Sequence, residues 1–384
     1  MEDFMNLEEL RQEIDKVDDK IINDIKERME VSAKIAEYKK ENGLPVTDAR
    51  REREKINEIS EKSDPEIKAY MRVLYSLIFE LSRSYQNKVM STKASLFKDI
   101  SSAIENTDKL FPVSPRVACQ GVEGAYSSQA CDKLFKAPSI MYMKSFDGVF
   151  SAVESGLCSY GVIPLENSTA GSVKKVYDLM IEHNFKIVRS LRLKVDHSLI
   201  AKNGVKLSDI KEIVSHEQAI NQCSDFLSNL KDIKITYCEN TALAAKMVAE
   251  SDRKDIAALS SHNCAELYGL NCIESSVQDN QNNYTRFICI SKNLEIYPGA
   301  DKTQIMMVLP HKPGSLYKTL SRFYALDINL LKLESRPIPD KNFEFMFYFE
   351  LETSVYSDEF VRLICEIDEI CEDFKYLGSY SEVI

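Results

Sequence analysis

From Leu7 to Glu41 the chain contains neither glycine nor proline, and Leu7, Leu10, Ile14, Val17 and Ile21 recur at alternating spacings of three and four. That period predicts one amphipathic helix, roughly 52 Å long at about 1.5 Å per residue. A domain built from about 90 residues is narrower than this, so the helix cannot bury its apolar stripe within its own chain. Two chains laying their long helices together would bury it, and the segment therefore predicts a homodimer or a homotetramer. Continued, the seam meets Asp24 and Arg28 before it reaches Val31, Ile35 and Tyr38, placing two charges where apolar residues are expected.

Gly43 and Pro45 end the helix. Thr47 or Asp48 then caps a second helix through about Glu61, and Asp64-Pro65 opens a third that runs through Tyr85. Residues 89–115 are mixed, with a short helix over Lys93–Ile104 and a break at Phe111–Pro115. From Arg116 onward short apolar strands alternate with helical stretches, which predicts an α/β domain with largely parallel sheets. From Thr303 the order is strand, helix, strand, strand, helix, strand, a ferredoxin-like βαββαβ module. The chain is thus multidomain: an all-α three-helix domain at 1–90, a linker at 91–114, an α/β domain at 115–294 and an α+β module at 300–384.

Composition removes several classes of function. Asp plus Glu number 60 against 49 Lys plus Arg, a net charge of −11 that repels nucleic acid and anionic membranes. No apolar run approaches the ~18–20 residues of a bilayer span, and the acidic start MEDFMNLEELRQE is unlike a secretory signal, so a cytoplasmic location is expected. The ten cysteines lie between Cys119 and Cys371 without a CxxC pair. Thiols so dispersed read as small core residues rather than metal ligands or disulfides.

Within the helical domain, Arg28 and Lys39 are eleven residues apart and share a face, as do Asp48 with Glu52 and Ser82 with Gln86 at i, i+4. Arg11 lies about 25 Å along the helix from Arg28, so it joins the same site only if a partner chain delivers it. The strings LEELRQEID (Leu7–Asp15), ERMEV (Glu27–Val31), AEYKK (Ala36–Lys40), PVTDARRERE (Pro45–Glu54) and ELSRSYQ (Glu80–Gln86) resemble the all-helical class of chorismate mutase. The resemblance implies an intertwined dimer whose pocket is lined by Arg28, Lys39, Asp48, Glu52, Ser82 and Gln86, with Arg11 coming from the other subunit. Its reaction is an intramolecular Claisen rearrangement of chorismate to prephenate, which needs a dianion fixed in a reactive chair and a polarised transition state stabilised. Arg11 and Arg28 suit the two carboxylates, Lys39 and Gln86 the ether oxygen, Glu52 with Asp48 the ring hydroxyl, and Ser82 a carboxylate. Arg51 is a secondary candidate.

In the α/β segment the informative strings are GVEGAYSSQA (Gly121–Ala130), YGVIPLENSTAGSV (Tyr160–Val173), VSHEQAINQC (Val214–Cys223), CAELYGL (Cys264–Leu270) and NYTRF (Asn283–Phe287). The first lacks the glycine spacing of a phosphate loop. ENST follows an apolar strand, at the end where open α/β sheets bind ligands. Together the strings resemble prephenate dehydratase over residues 116–292. That implies two α/β lobes, similar to a periplasmic binding protein, with substrate in the cleft. It also implies Thr285 as hydrogen-bond donor to the departing hydroxyl, with Asn167, Ser168 and Thr169 binding substrate. Arg286 either anchors a substrate carboxylate or supports the loop, and His216 and His197 read as structural.

PHKPGSL (Pro310–Leu316) and KLESRPIP (Lys332–Pro339) resemble the ACT regulatory domain of dehydratases. The resemblance implies an effector site for phenylalanine at Gly314, Ser315, Leu316, Glu334, Ser335 and Arg336, formed across a dimer interface. Ser315 stands where a small apolar residue is usual. Taken together, the resemblances imply a bifunctional enzyme of phenylalanine biosynthesis, with chorismate and prephenate as substrates, and with no metal and no organic cofactor. A regulatory binding protein with degenerate catalytic lobes, or a chain in which the dehydratase alone survives, remain the alternatives.

Overall fold

The computed structural model describes residues 6–90, 95–338 and 344–383. Lys93 of the expected linker helix and Pro339 of the KLESRPIP string lie outside the described residues. The chain forms two compact units, one made of Met1–Lys98 with Lys312–Arg322 and Val361–Ile370, the other of Asp99–His311, Phe323–Phe360 and Cys371–Ile384.

In the first unit α1 spans Leu7–Glu41, α2 Ala49–Lys62 and α3 Lys68–Met90. Asn6 caps α1 through the backbone amides of Glu8 and Glu9, while the Glu9 side chain accepts from the Asn6 amide, closing a capping box. Asp48 rather than Thr47 caps α2. The Asp64-Pro65 start proves to be a turn in which the Asp64 carbonyl accepts from Ile67 and Lys68, so α3 begins three residues later than the proline suggests. Both α1 and α2 pack on α3. Within α1 only Ser32 and Ala36 are buried, whereas Leu7, Ile14 and Ile21 in its first half are 64%, 61% and 52% exposed.

The second unit holds three sheets. Its strands are β1 (Arg116–Gln120), β2 (Ser139–Met143), β3 (Tyr160–Asn167), β4 (Gly171–Ser172), β5 (Lys186–Lys194), β6 (Ser198–Ala201), β7 (Glu212–Ser215), β8 (Lys234–Tyr237), β9 (Ile256–Ser260) and β10 (Asn271–Glu274). They continue with β11 (Tyr284–Ser291), β12 (Lys302–Val308), β13 (Asn329–Pro337), β14 (Phe345–Glu352), β15 (Asp373–Tyr380) and β16 (Glu382–Val383). The first sheet has the order β16-β5-β11-β3-β1-β2 with β4 beside β3, the second β10-β6-β9-β7-β8, and the third β13-β14-β12-β15.

The expected largely parallel arrangement is corrected. β11 runs antiparallel to both β3 and β5, and β6 antiparallel to both β9 and β10. The cause is the path of the chain: it leaves the first sheet after β5, builds the second, and returns as β11 between two strands already laid down. β6, β8 and β10 are four residues each, too short to announce themselves by alternation. Once inside, β11 is apolar on both faces, with Phe287, Ile288, Cys289 and Ile290 buried.

The third sheet is antiparallel throughout, with the βαββαβ order expected from the sequence. Its Met306, Val308, Met346 and Tyr348 share one apolar core with Val149, Ile163, Tyr177 and Ile288 of the first sheet's layer. Gly378 makes that contact possible: at φ +133° its backbone lies so close to β5 that a Cβ there would sit 2.4 Å from the Ile187 carbonyl oxygen. Seven of the ten cysteines are buried. No helix among the described residues is long and apolar enough to cross a membrane.

Candidate active sites

The second half of α1 turns Arg28, Ser32 and Lys39 toward α3. Arg28 donates to Ser82 Oγ, and its guanidinium lies 5.6 Å from the centroid of the Phe79 ring. Burial is the main reason the Arg28 pKa falls below its ordinary value, and Tyr75 opposes the fall; an arginine so placed is still a cation. Three turns along, Lys39 Nζ donates to the Val46 carbonyl at 2.5 Å and to Gln86 Oε1 at 3.3 Å. The Gln86 amide nitrogen donates to Ser32 Oγ at 3.0 Å and carries a second hydrogen for another acceptor.

Asp48 accepts from the Arg51 amide at 2.9 Å, and Glu52, one turn further along α2, pairs with Arg83 of α3. Arg28 with Ser82 and Lys39 with Gln86 are thus brought into contact, while Asp48 and Glu52 follow on α2. Arg11 is not joined to them in its own chain: it lies on the exposed half of α1, 3.5 Å from Glu8. Sequence reasoning missed Ser32 and Arg83. Ser32 could have been found, since it falls four residues after Arg28 and seven before Lys39 on the same face; Arg83 carries no such signal.

In the second unit, β3 and β11 lie side by side with Asn167 opposite Thr285. Asn167 Nδ2 donates to Thr285 Oγ1 at 2.9 Å and to Asn283 Oδ1 at 2.7 Å, while Asn167 Oδ1 accepts from the amides of Thr169 and Ala170 and from Thr169 Oγ1. One asparagine therefore both shapes the ENST turn and holds the threonine hydroxyl. Gln222 extends the network, donating to Thr169 Oγ1 and accepting from Asn283. It also meets His197 Nε2 at 3.1 Å, and because the facing atom is a carbonyl oxygen, Nε2 carries the proton. His197 Nδ1 is then a buried lone pair without a partner, and burial pushes the imidazole pKa below its usual range. His216 accepts from the Gln218 amide and caps a short helix.

Asn167 and Thr285 line a cavity of about 500 Å³ together with Ser127, Gly171, His197, His216 and Asn240. Among the described residues lining it there is no lysine or arginine, and Glu239 is the one carboxylate. Several helices begin at its wall. The Thr241–Glu250 helix is capped by the Asn240 side chain, whereas the Tyr126–Leu134 helix starts after Ala125, which has no side-chain acceptor to offer its first amides.

Arg286 and Ser168 face elsewhere. Ser168 exchanges hydrogen bonds with the Asn282 carbonyl and the Tyr284 amide, holding two loops together. Arg286 is ion-paired with Glu166, Glu350 and Glu382 and lines a second recess with Ser168 and Arg192. Burial disfavours its charge, but the three carboxylates together raise its pKa. Of the two roles left open for Arg286, the geometry is that of support.

Gly314 adopts φ +86° ahead of the Ser315–Ala325 helix, and the Lys318 amide donates to its carbonyl. Leu316 is half-buried. On β13, Glu334 accepts from Ser172, Arg336 pairs with Asp178 at 2.9 Å, and Ser335 stands opposite Phe347.

Two family models match the chain: chorismate mutase type II over residues 10–87 and prephenate dehydratase over residues 117–295. A bifunctional chorismate mutase/prephenate dehydratase of Escherichia coli K12 is 30% identical over 380 residues, covering 97% of this chain and 95% of the relative. An arogenate dehydratase/prephenate dehydratase of Arabidopsis thaliana is 34% identical over 313 residues, covering 78% and 80%. A solved prephenate dehydratase of Arthrobacter aurescens, in complex with L-Phe, is 27% identical with a TM-score of 0.63 over 70% of this chain and 90% of its own.

Proposed function

We propose, on the footing that the chain belongs to the bifunctional chorismate mutase/prephenate dehydratase family, that its helical unit converts chorismate to prephenate and its α/β unit converts prephenate to phenylpyruvate. The observation that carries this reading is the end-to-end presence of both family models on one chain.

The first reaction breaks an ether C–O bond and forms a C–C bond within one molecule, with no proton to move. Catalysis then consists of holding the reactive conformer and stabilising charge. Arg28, oriented by Ser82, takes one carboxylate, and Arg11 of a second chain takes the other. Lys39 and the second hydrogen of the Gln86 amide meet the ether oxygen as negative charge grows on it. Glu52 accepts from the ring hydroxyl, with Asp48 beside it. An acceleration of about a millionfold requires about 8 kcal/mol, within reach of orientation plus two or three fixed donors. The bare stripe on the first half of α1 supports a dimer, since a second copy of the same helix would cover it.

In the second reaction the electrons of the departing carbon dioxide's C–C bond enter the ring as the hydroxyl C–O bond breaks, so carbon dioxide and hydroxide leave together. Thr285, held by Asn167, donates to the developing hydroxide, an aid to departure rather than a full proton transfer. With no lysine or arginine among the described residues lining the cavity, the substrate carboxylates fall to neutral donors, chiefly Ser127 and the uncapped amides at the start of the Tyr126–Leu134 helix. Thr169 braces Asn167, and Ser168 fixes the loop behind it.

The C-terminal sheet with its two helices is an ACT-type module that takes phenylalanine as feedback effector, with Gly314, Ser315 and Leu316 at the helix start and Glu334, Ser335 and Arg336 on β13. Its βαββαβ order and the Arthrobacter relative's L-Phe complex support this. The test of the whole reading is to supply chorismate to the purified chain and separate prephenate from phenylpyruvate. Arg28→Ala should abolish the first step and leave turnover of added prephenate intact; Thr285→Ala should accumulate prephenate. No product from the unaltered chain, or loss of both steps with either substitution, contradicts it. Arogenate offered beside prephenate reveals which the cavity prefers.

A further inference from the structure

Helix α3 is engaged on two sides. Ser82 and Gln86 face Arg28 and Ser32 of α1, while Glu80 and Ser84, about half a turn round, face the helices of the C-terminal module. Glu80 is buried and accepts from Lys318 at 2.8 Å and Arg322 at 3.1 Å, two residues one turn apart on the Ser315–Ala325 helix. Ser84 donates to Glu366 of the Asp358–Ile370 helix at 2.5 Å. Glu80 also pairs with Arg83, and Arg83 with Glu52.

A continuous line of alternating charge therefore runs from Lys318 and Arg322 through Glu80 and Arg83 to Glu52, the carboxylate assigned to the substrate's ring hydroxyl. We propose that Glu80 and Arg83 are positioning residues of the mutase site, and that the C-terminal module holds them in place through Lys318 and Arg322.

The inference rests on the assignment of Glu52 made above and gives it a regulator. Arg83 sits between two carboxylates. Fixed by Glu80, it presents one edge of a rigid guanidinium to Glu52 and sets where that carboxylate points. Burial works against the charge on Glu80, and Lys318, Arg83 and Arg322 overcome it, keeping the carboxyl below its usual pKa. If the basic pair withdraws, Glu80 is left with Arg83 alone, and Arg83 is drawn off Glu52. A shift of the Ser315–Ala325 helix, which begins at the proposed effector segment, would thus reach the mutase pocket without touching the dehydratase cavity.

The test uses the full chain carrying Glu52→Gln, Glu80→Gln, Arg322→Gln, the double variants Glu80→Gln/Arg322→Gln and Glu52→Gln/Glu80→Gln, and Lys318→Ala. Mutase kcat and KM and the dehydratase rate on added prephenate are read from each preparation. Glu80→Gln and Arg322→Gln should each raise the mutase KM about fivefold, with kcat changed less than about twofold, because a misplaced hydroxyl acceptor weakens ground and transition state alike. Their combination should be no worse than Glu80→Gln alone, Glu80→Gln should add nothing in the Glu52→Gln background, and the dehydratase should stay within about twofold.

An unchanged KM in Glu80→Gln, or losses that multiply in either double variant, overturns the proposal. Should Glu80→Gln fail to fold, shown by loss of the dehydratase as well, Lys318→Ala takes its place. That side chain is 48% exposed, its expected KM rise is about two- to threefold, and no rise overturns the proposal. Glu52→Gln alone tests the underlying assignment: a full mutase rate in that variant removes Glu52 from the site, a result distinct from any outcome at Glu80.

Discussion

Arg286 shows how far a single residue's surroundings can redirect its reading. It follows Thr285 directly, yet its guanidinium is matched by three carboxylates from β3, β14 and β16. Arg286→Met should cost about 3 kcal/mol of stability, because the buried Glu350 carboxylate loses its counter-ion, while Glu166 keeps Lys332 and Glu382 keeps Arg192. The KM for prephenate should hardly move, and thermal melting beside dehydratase kinetics separates the two effects. His197 supplies the pH dependence. Its folded-state pKa lies below the ordinary 6.5, so the unfolded chain binds the extra proton first. Stability should fall as pH drops from about 6.5 and level off once the buried imidazole is itself protonated. His197→Gln should flatten melting temperature against pH in that window, and an unaltered slope would assign it to other groups.

At the scale of elements, Gly378→Ala tests the seam between β15 and β5. The added methyl would meet backbone rather than a yielding side chain, so a loss of about 2–3 kcal/mol is expected in denaturant unfolding. Most elements were legible in the sequence. The long helix announced itself by its period, and the pairs Asp48/Glu52 and Ser82/Gln86 by one-turn spacing. The antiparallel return of β11 was not legible, because an apolar strand reads the same in either direction. Nor was the link from Glu80 to Arg322, whose partners are 242 residues apart and differ from solvated surface charges only once the helices are packed. Thr285 and Asn167 could be named only through resemblance to a family; their hydrogen bond depends on a strand register that no local pattern announces.

For the whole molecule, the exposed stripe of α1 and the isolation of Arg11 raise one question together. Leu7, Leu10, Ile14, Val17 and Ile21 are each at least 45% exposed in the single chain, an apolar ridge that a second copy would cover. Sedimentation should find no monomer at micromolar concentration, and Ile14→Lys with Ile21→Lys should produce one, without mutase activity but with the dehydratase retained. The claim beneath this account is that the mutase pocket is completed by two chains. It is tested most directly by co-expressing Arg11→Ala and Arg28→Ala chains, each inactive alone as a mutase. In a mixed dimer one pocket carries both substitutions and the other neither, so random assembly should restore about a quarter of the unaltered mutase rate. A mixture as inactive as its components would contradict it.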